Sequence, residues 1–160
     1  MLETKLNYIY IPSTKEVIYI YPPALNGKKE MSMEEYLHKK VKIPLKKGFY
    51  LEYLHLIKLL EIKNKKLHIV VEGKDTHLLD RTMMEVVTLF PGNHFCQTHE
   101  SYLANINYFK KYIGAEEGIL LEGNIKVPVS RAHKDSVKNA IDAIAILIPA
   151  RVKKPKRPKF

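Results

Sequence analysis

"THESYLANINYF" occupies residues 98–109, and two readings compete for it. His99, Glu100 and Ser101 stand side by side, which are the residue types of a nucleophilic site. Strand signals at 94–98 and 102–104 flank them, so the same three residues also suit a surface loop that touches something else. A serine nucleophile needs a base within reach, a group orienting that base, and oxyanion donors, often on a glycine-flanked elbow. Ser101 is followed by Tyr102 and Leu103, with no glycine near it. On a strand, His99 and Ser101 would face the same way, but that spacing is common by chance. His94 and His99 have no third soft ligand at a recognisable spacing, so no metal is expected. No G-x-x-x-x-G-K or G-x-G-x-x-G phosphate loop occurs, and nothing points to a cofactor or a small-molecule substrate. An enzyme is the weakest of the readings.

The flanking sequence sets wider bounds. The 160 residues are 46% hydrophobic, enough for one domain with an ordinary core. The apolar runs "VIYIYPP" (17–23) and "AIDAIAILIP" (140–149) fall well short of the roughly 20 residues that span a bilayer. Glu3 and Lys5 interrupt the place where a signal peptide would become apolar. The single cysteine, Cys96, leaves no internal disulfide, and its strand context predicts a buried apolar thiol. A cytoplasmic protein with no membrane partner is the expectation.

The net charge of +10 is unevenly placed. Residues 1–40 hold 6 basic and 5 acidic side chains, residues 41–150 hold 15 and 12, and residues 151–160 hold 6 and none. The tail "RVKKPKRPKF" contains two prolines and is expected to be a mobile arm. Such an arm suits a polyanion through phosphate contacts, and equally serves as a solubilising tail.

Along the chain, 6–12 and 16–21 read as a hairpin across "STK", and "PPALNGKK" then breaks the pattern. Ser32 and Glu35 have capping-box spacing ahead of a helix through about Lys40. Short strands are expected at 49–53, 56–62, 67–72 and 76–79. Thr82 and Glu85 open a second helix that Pro91-Gly92 ends. Strands follow at 94–98, 102–104, about 108–113, 118–122 and 125–129. A final amphipathic helix from about Ala132 to Leu147 places Val137, Ile141, Ile144 and Leu147 on one face. The organisation expected is a β-rich extension (1–40, a hairpin plus a short helix), a mostly β domain (41–148) and a basic tail (149–160).

Three blocks in order make the pattern specific. Ile57 to Glu61 matches "I-x-x-[FYL]-E"; Phe95, His99, Ser101, Tyr102 and Asn105 match "F-x-R-x-H-x-S-[YF]-x-x-N"; and Val127 to Arg131 matches "[IV]-P-V-S-R". Over about 41–146 the chain resembles the LytTR (LytR/AlgR) DNA-binding domain family. The resemblance implies a mostly β (α+β), elongated fold of short antiparallel strands in several small sheets with short helices. It also implies double-stranded DNA as partner, contacted by loops in successive grooves, and a transcription regulator. Carried onto this chain, the first loop is Lys63, Asn64, Lys65 and Lys66, and the second is His99, Glu100 and Ser101. The third starts at Arg131 and includes His133 and Lys134. Phe95, Tyr102 and Asn105 are then core and turn residues that hold the loop.

Gln97 stands where the family usually has Arg, and Glu100 places an acid where DNA would lie. These departures keep an alternative open, a protein-interaction module with the same fold and no specific DNA readout. Forty residues ahead of the domain are too few for the receiver that many relatives carry. A homodimer on direct-repeat sites also stays open.

Overall fold

The structure is a computed structural model. It describes the backbone of residues 8–11 and 16–19, and residues 30–114 and 116–151 in full. Strands β1 (Tyr8–Ile11) and β2 (Glu16–Tyr19) pair antiparallel, with Tyr8 opposite Tyr19, as the alternating aromatic and β-branched residues predict. The outer residues of that hairpin, "STK", "PPALNGKK" and the tail from residue 152 onward lie outside the described residues.

Helix α1 (Met33–His38) starts where the sequence says it should. Ser32 accepts the Glu35 amide at 3.1 Å, and Glu34 and Glu35 sit in the first turn, where acids complement the helix dipole. The helix does not continue through Lys40. Lys39 turns extended, and β3 (Lys40–Pro44) begins, a strand the pattern reading left out. It pairs with β4 (Phe49–Tyr53), from Lys40 opposite Tyr53 to Pro44 opposite Phe49. Its alternation, Val41 and Ile43 between lysines, is too short to register as a period, yet Ile43 is fully buried.

A five-stranded antiparallel sheet organises everything else. Its members are β5 (Ile57–Lys63), β6 (Lys66–Val71), β7 (His77–Leu79), β8 (Phe95–His99) and β9 (Tyr102–Asn105), in the order β7-β6-β5-β9-β8. β5 is buried on both faces from Ile57 to Leu60, because the sheet separates two cores. On one face Ile57, Leu60, Leu67, Ile69, Phe95 and Leu103 pack with Tyr36 of α1, Ile43 of β3, and Met83 and Val86 of α2 (Met83–Val87). On the other, Leu59, Cys96 and Ala104 pack with Ile119, Leu121, Val127 and Val137. Those come from a three-stranded sheet, β10 (Phe109–Gly114), β11 (Gly118–Leu121) and β12 (Ile125–Val127), and from α3 (Lys134–Ile144). Each fully buried aliphatic side chain contributes roughly 1.5–3 kcal/mol. Cys96 is buried, as expected.

Thr82 and Glu85 form the full capping box of α2. The last helix differs from expectation. A three-residue 3-10 turn, Arg131–His133, precedes α3, which ends at Ile144 when Ala145 becomes extended. Val137 is buried, but Ile144 is half exposed and Leu147 lies beyond the helix, 82% exposed. The apolar spacing ran on past the end of the surface it could pack against.

Two ionic clusters brace the molecule. Lys58 pairs with Glu72 and donates to the Glu122 carbonyl at 3.4 Å, which ties the β11–β12 turn to the central sheet. Glu52 of β4 is fully buried and accepts from Lys74 at 2.9 Å, with His77 at 3.5 Å. Burial pushes the Glu52 carboxyl upward, but its bonds to Lys74, His77 and the Tyr53 amide outweigh that and leave it below its ordinary 4.5. A carboxylate lowered on folding stabilises above its unfolded value and loses that contribution as pH falls through the folded one. Wild type is therefore expected to exceed Glu52→Gln in stability at neutral pH, with the gap closing as pH drops below 4.5. Urea midpoints of both proteins against pH check this, and a gap that persists in acid would rule it out.

Candidate nucleic-acid interface

The first loop is the two-residue turn between β5 and β6. Asn64 and Lys65 have φ of 53° and 61°, a type I′ turn, with Lys63 opposite Lys66 at its base. All four side chains are exposed. His68 braces the turn through its ring Nε2, 3.1 Å from the Lys63 carbonyl, and Asp80 lies 3.8 Å from Lys66 Nζ. Asparagine suits the left-handed region; lysine stands where glycine is preferred, at a cost of roughly 1–2 kcal/mol. Lys65→Gly is thus expected to stabilise the fold by about 1 kcal/mol. If Lys65 meets a phosphate, the same change lowers the salt slope of DNA binding by about 0.9. Thermal unfolding and salt-dependent titration of one variant read both effects.

The second loop joins β8 to β9. Glu100 is exposed at its tip, while His99 and Ser101 are half-buried. His99 Nδ1 accepts the Ser101 amide at 3.1 Å, and its ring meets Tyr102 edge-on at 5.6 Å. Nδ1 must be unprotonated to accept, so the neutral ring carries its proton on Nε2. His99 therefore shapes the turn, and Ser101 takes part in it through its backbone amide.

The third loop follows β12. Ser130, just ahead of Arg131, donates its amide to the Thr98 carbonyl at 2.8 Å, and the Ser130 hydroxyl lies 2.7 Å from His133 Nδ1. Arg131 is exposed; His133 and Lys134 are half-buried where the 3-10 turn passes into α3.

These contacts gather the loops. β5 runs into the first loop, and β9, its antiparallel neighbour, starts from the second, with Glu61 opposite Tyr102 and the Ile62 amide donating to Ser101 O at 2.8 Å. Thr98, beside the second loop, holds Ser130 of the third. All ten candidate residues thus lie in three loops at one end of the central sheet, with five cations and one acid. The register also places the Gly114–Gly118 turn, with exposed Glu116 and Glu117, beside Val127 and Pro128. Strand pairing brings that acidic neighbour and Asp80 to this end, whereas His68 and Thr98 stand next to the loops in sequence and brace them through bonds that the sequence does not show.

A buried polar network holds the opposite end of β9. Asn105 is fully buried, donates to Tyr36 Oη at 2.7 Å and to the Ile57 carbonyl at 2.8 Å, and accepts from the Asn107 amide at 3.0 Å. Both ring nitrogens of His94 are engaged, with Met31 O at 2.8 Å and Asn107 Nδ2 at 3.1 Å, so it is a structural histidine. Among the described residues no group of three or more His, Cys, Asp or Glu side chains is placed to hold a metal, and no helix is long and apolar enough to cross a membrane.

Comparison with known proteins gives this geometry its family. The model of the LytTr DNA-binding domain matches residues 47–142, more than half of the chain. The chain belongs to the LytTR DNA-binding domain family. Among solved structures, it is similar to the LytTr DNA-binding domain of a protein described as a methyl-accepting/DNA response regulator from Bacillus cereus. That likeness has a TM-score of 0.55 at 21% identity and covers 64% of this chain and 95% of the other. Curated proteins contain no match. A LytTR domain is a DNA-binding domain of regulator type, and the small antiparallel sheets with short helices seen here are its fold. Within this LytTR domain, half-buried Gln97 lies in β8 two residues before His99, and exposed Glu100 follows His99 on the second loop, so both departures from the family pattern stand close to that loop.

Proposed function

We propose that this LytTR domain is the DNA-reading part of a cytoplasmic, sequence-specific transcription regulator, and that its three clustered loops enter successive grooves of one duplex. The convergence of the loops through Ile62–Ser101 and Thr98–Ser130 carries the reading. Two details of the first loop support it. Lys63 and Lys66 face each other across the turn, a like-charge pair that a phosphate between them would relieve. Lys65 keeps its charge in a conformation that favours glycine.

The roles divide by chemistry. Lys63, Lys65, Lys66 and Lys134 neutralise phosphates and set the register, while Asn64 and Arg131 reach base edges, Arg131 bidentate to guanine. His99 donates from Nε2. Glu100 repels phosphates but accepts from cytosine N4 in the major groove, so it narrows the site at some expense in affinity. The basic tail tracks the backbone beside the site. A homodimer would read two direct repeats.

Exposed Glu100, with Glu116 and Glu117 exposed on the turn beside Val127 and Pro128, favours one other reading, a face for a basic protein partner. Selection of bound fragments from random duplexes separates the two: an enriched motif supports the regulator, and no enrichment supports the interaction module. On the selected site, Arg131→Ala is expected to cost about 1–3 kcal/mol and to relax preference at one base pair. Equal affinity of mutant and wild type would remove Arg131 from the readout.

A further inference from the structure

The β3–β4 pair is a sheet of only two strands with very different faces. Ile43 and Glu52, on its inner face, are buried. By register Phe49, Leu51 and Tyr53 share the outer face with Pro44, Lys42 and Lys40. Those three apolar side chains are 51%, 49% and 41% exposed, and among the described residues no other strand carries three exposed large apolar side chains. A contiguous apolar strip of this kind marks an interaction site. It has a cationic border, with Lys40 over the Tyr53 ring at 4.9 Å and Lys42 over the Phe49 ring at 4.3 Å.

The β1–β2 hairpin has the complementary need, because a lone two-stranded hairpin is marginal in water until one face is covered. Its register assigns Ile9, Ile11, Glu16 and Ile18 to one face and Tyr8, Tyr10, Val17 and Tyr19 to the other. A tyrosine has a hydroxyl to leave in water and an isoleucine has none, so the isoleucine face gains more from being covered. The one charge on that face, Glu16, is opposite in sign to Lys40 and Lys42. Strands of four residues and the strip from Phe49 to Tyr53 each run roughly 10–13 Å, so the two surfaces match in length. The ten residues 20–29 reach up to about 33–36 Å, and α1 alone stands between their far end and β3, so the tether is long enough.

We propose that the β1–β2 hairpin docks its isoleucine face on Phe49, Leu51 and Tyr53 of the same chain, with Glu16 toward Lys40 and Lys42. The two ribbons then pack face to face as a small second sandwich beside the central sheet. The docking is independent of what the three loops contact.

Labelling kinetics of Leu51→Cys, and separately of Phe49→Cys, in the full chain test this, with buried Cys96 as a silent background. The rate should rise at least about tenfold when Ile18→Ser is added and less than about twofold when its neighbour Tyr19→Ser is added, since only the packed face loses contacts. Protection should be the same at about 1 and about 100 μM protein, because the tether makes docking intramolecular. Equal rates with and without Ile18→Ser at both reporters, or an equal response to Ile18→Ser and Tyr19→Ser, would overturn the proposal. Protection that grows with protein concentration would also overturn it, since the hairpin of a second copy would then cover the strip.

Discussion

Replacing Lys63, Lys65 and Lys66 together by alanine is expected to weaken DNA binding about a hundredfold at 0.15 M salt. Each neutralised phosphate contributes about 0.9 to the slope of log K against log salt, so three contribute about 2.7, and the deficit grows as salt falls below about 1 M. Cognate and non-cognate duplexes should lose affinity alike, since phosphate contacts carry no sequence information. The fold should change little, because all three side chains are exposed and the one ion pair lost, Lys66 with Asp80 at 3.8 Å, is a solvent-exposed one. Titration against two duplexes at several salt concentrations reads the slope directly. An unchanged slope would mean that the turn lies away from DNA.

The largest expected effect on stability is at Asn105. Its amide donates to Tyr36 and Ile57 and accepts from Asn107, so truncation to alanine takes two bonds from buried partners and one from the amide of the exposed Asn107. A buried group left without its bond costs about 1–3 kcal/mol, and a total loss of about 3 kcal/mol is expected after partial rearrangement. The urea midpoint of Asn105→Ala should fall accordingly, whereas Asn107→Ala, at an exposed position, should cost much less. Equal costs at the two positions would contradict this account of the network.

Most of the strands were legible from local pattern. β5, β6, β8 and β9 combine β-branched or apolar residues with polar turns, and Thr82 with Glu85 announced α2 through a bond between neighbours in sequence. β3 was not legible because two alternations do not make a period, and its strand identity comes from pairing with β4. The end of α3 departs from its pattern because Ile144 and Leu147 keep the helical spacing while both stand exposed among the described residues. Nothing in the strand signal at 49–53 marks Glu52 as buried, and its partners there, Lys74 and His77, are more than twenty residues away. The three loops were named from the resemblance, but their convergence depends on the order β7-β6-β5-β9-β8 and on two backbone bonds, neither of which is a property of any one segment.

The central claim is that one end of the sheet is the DNA face, and an amide NMR map of the full chain with its selected duplex tests it most directly. The account predicts large shifts at Asn64, Lys65, Glu100, Ser101 and Arg131. It predicts small ones at Glu72 and Gly123, which lie by the Lys58 cluster away from the three loops. Shifts concentrated around Glu72 and Gly123, or on the outer face of β4, with the three loops unmoved, would contradict it.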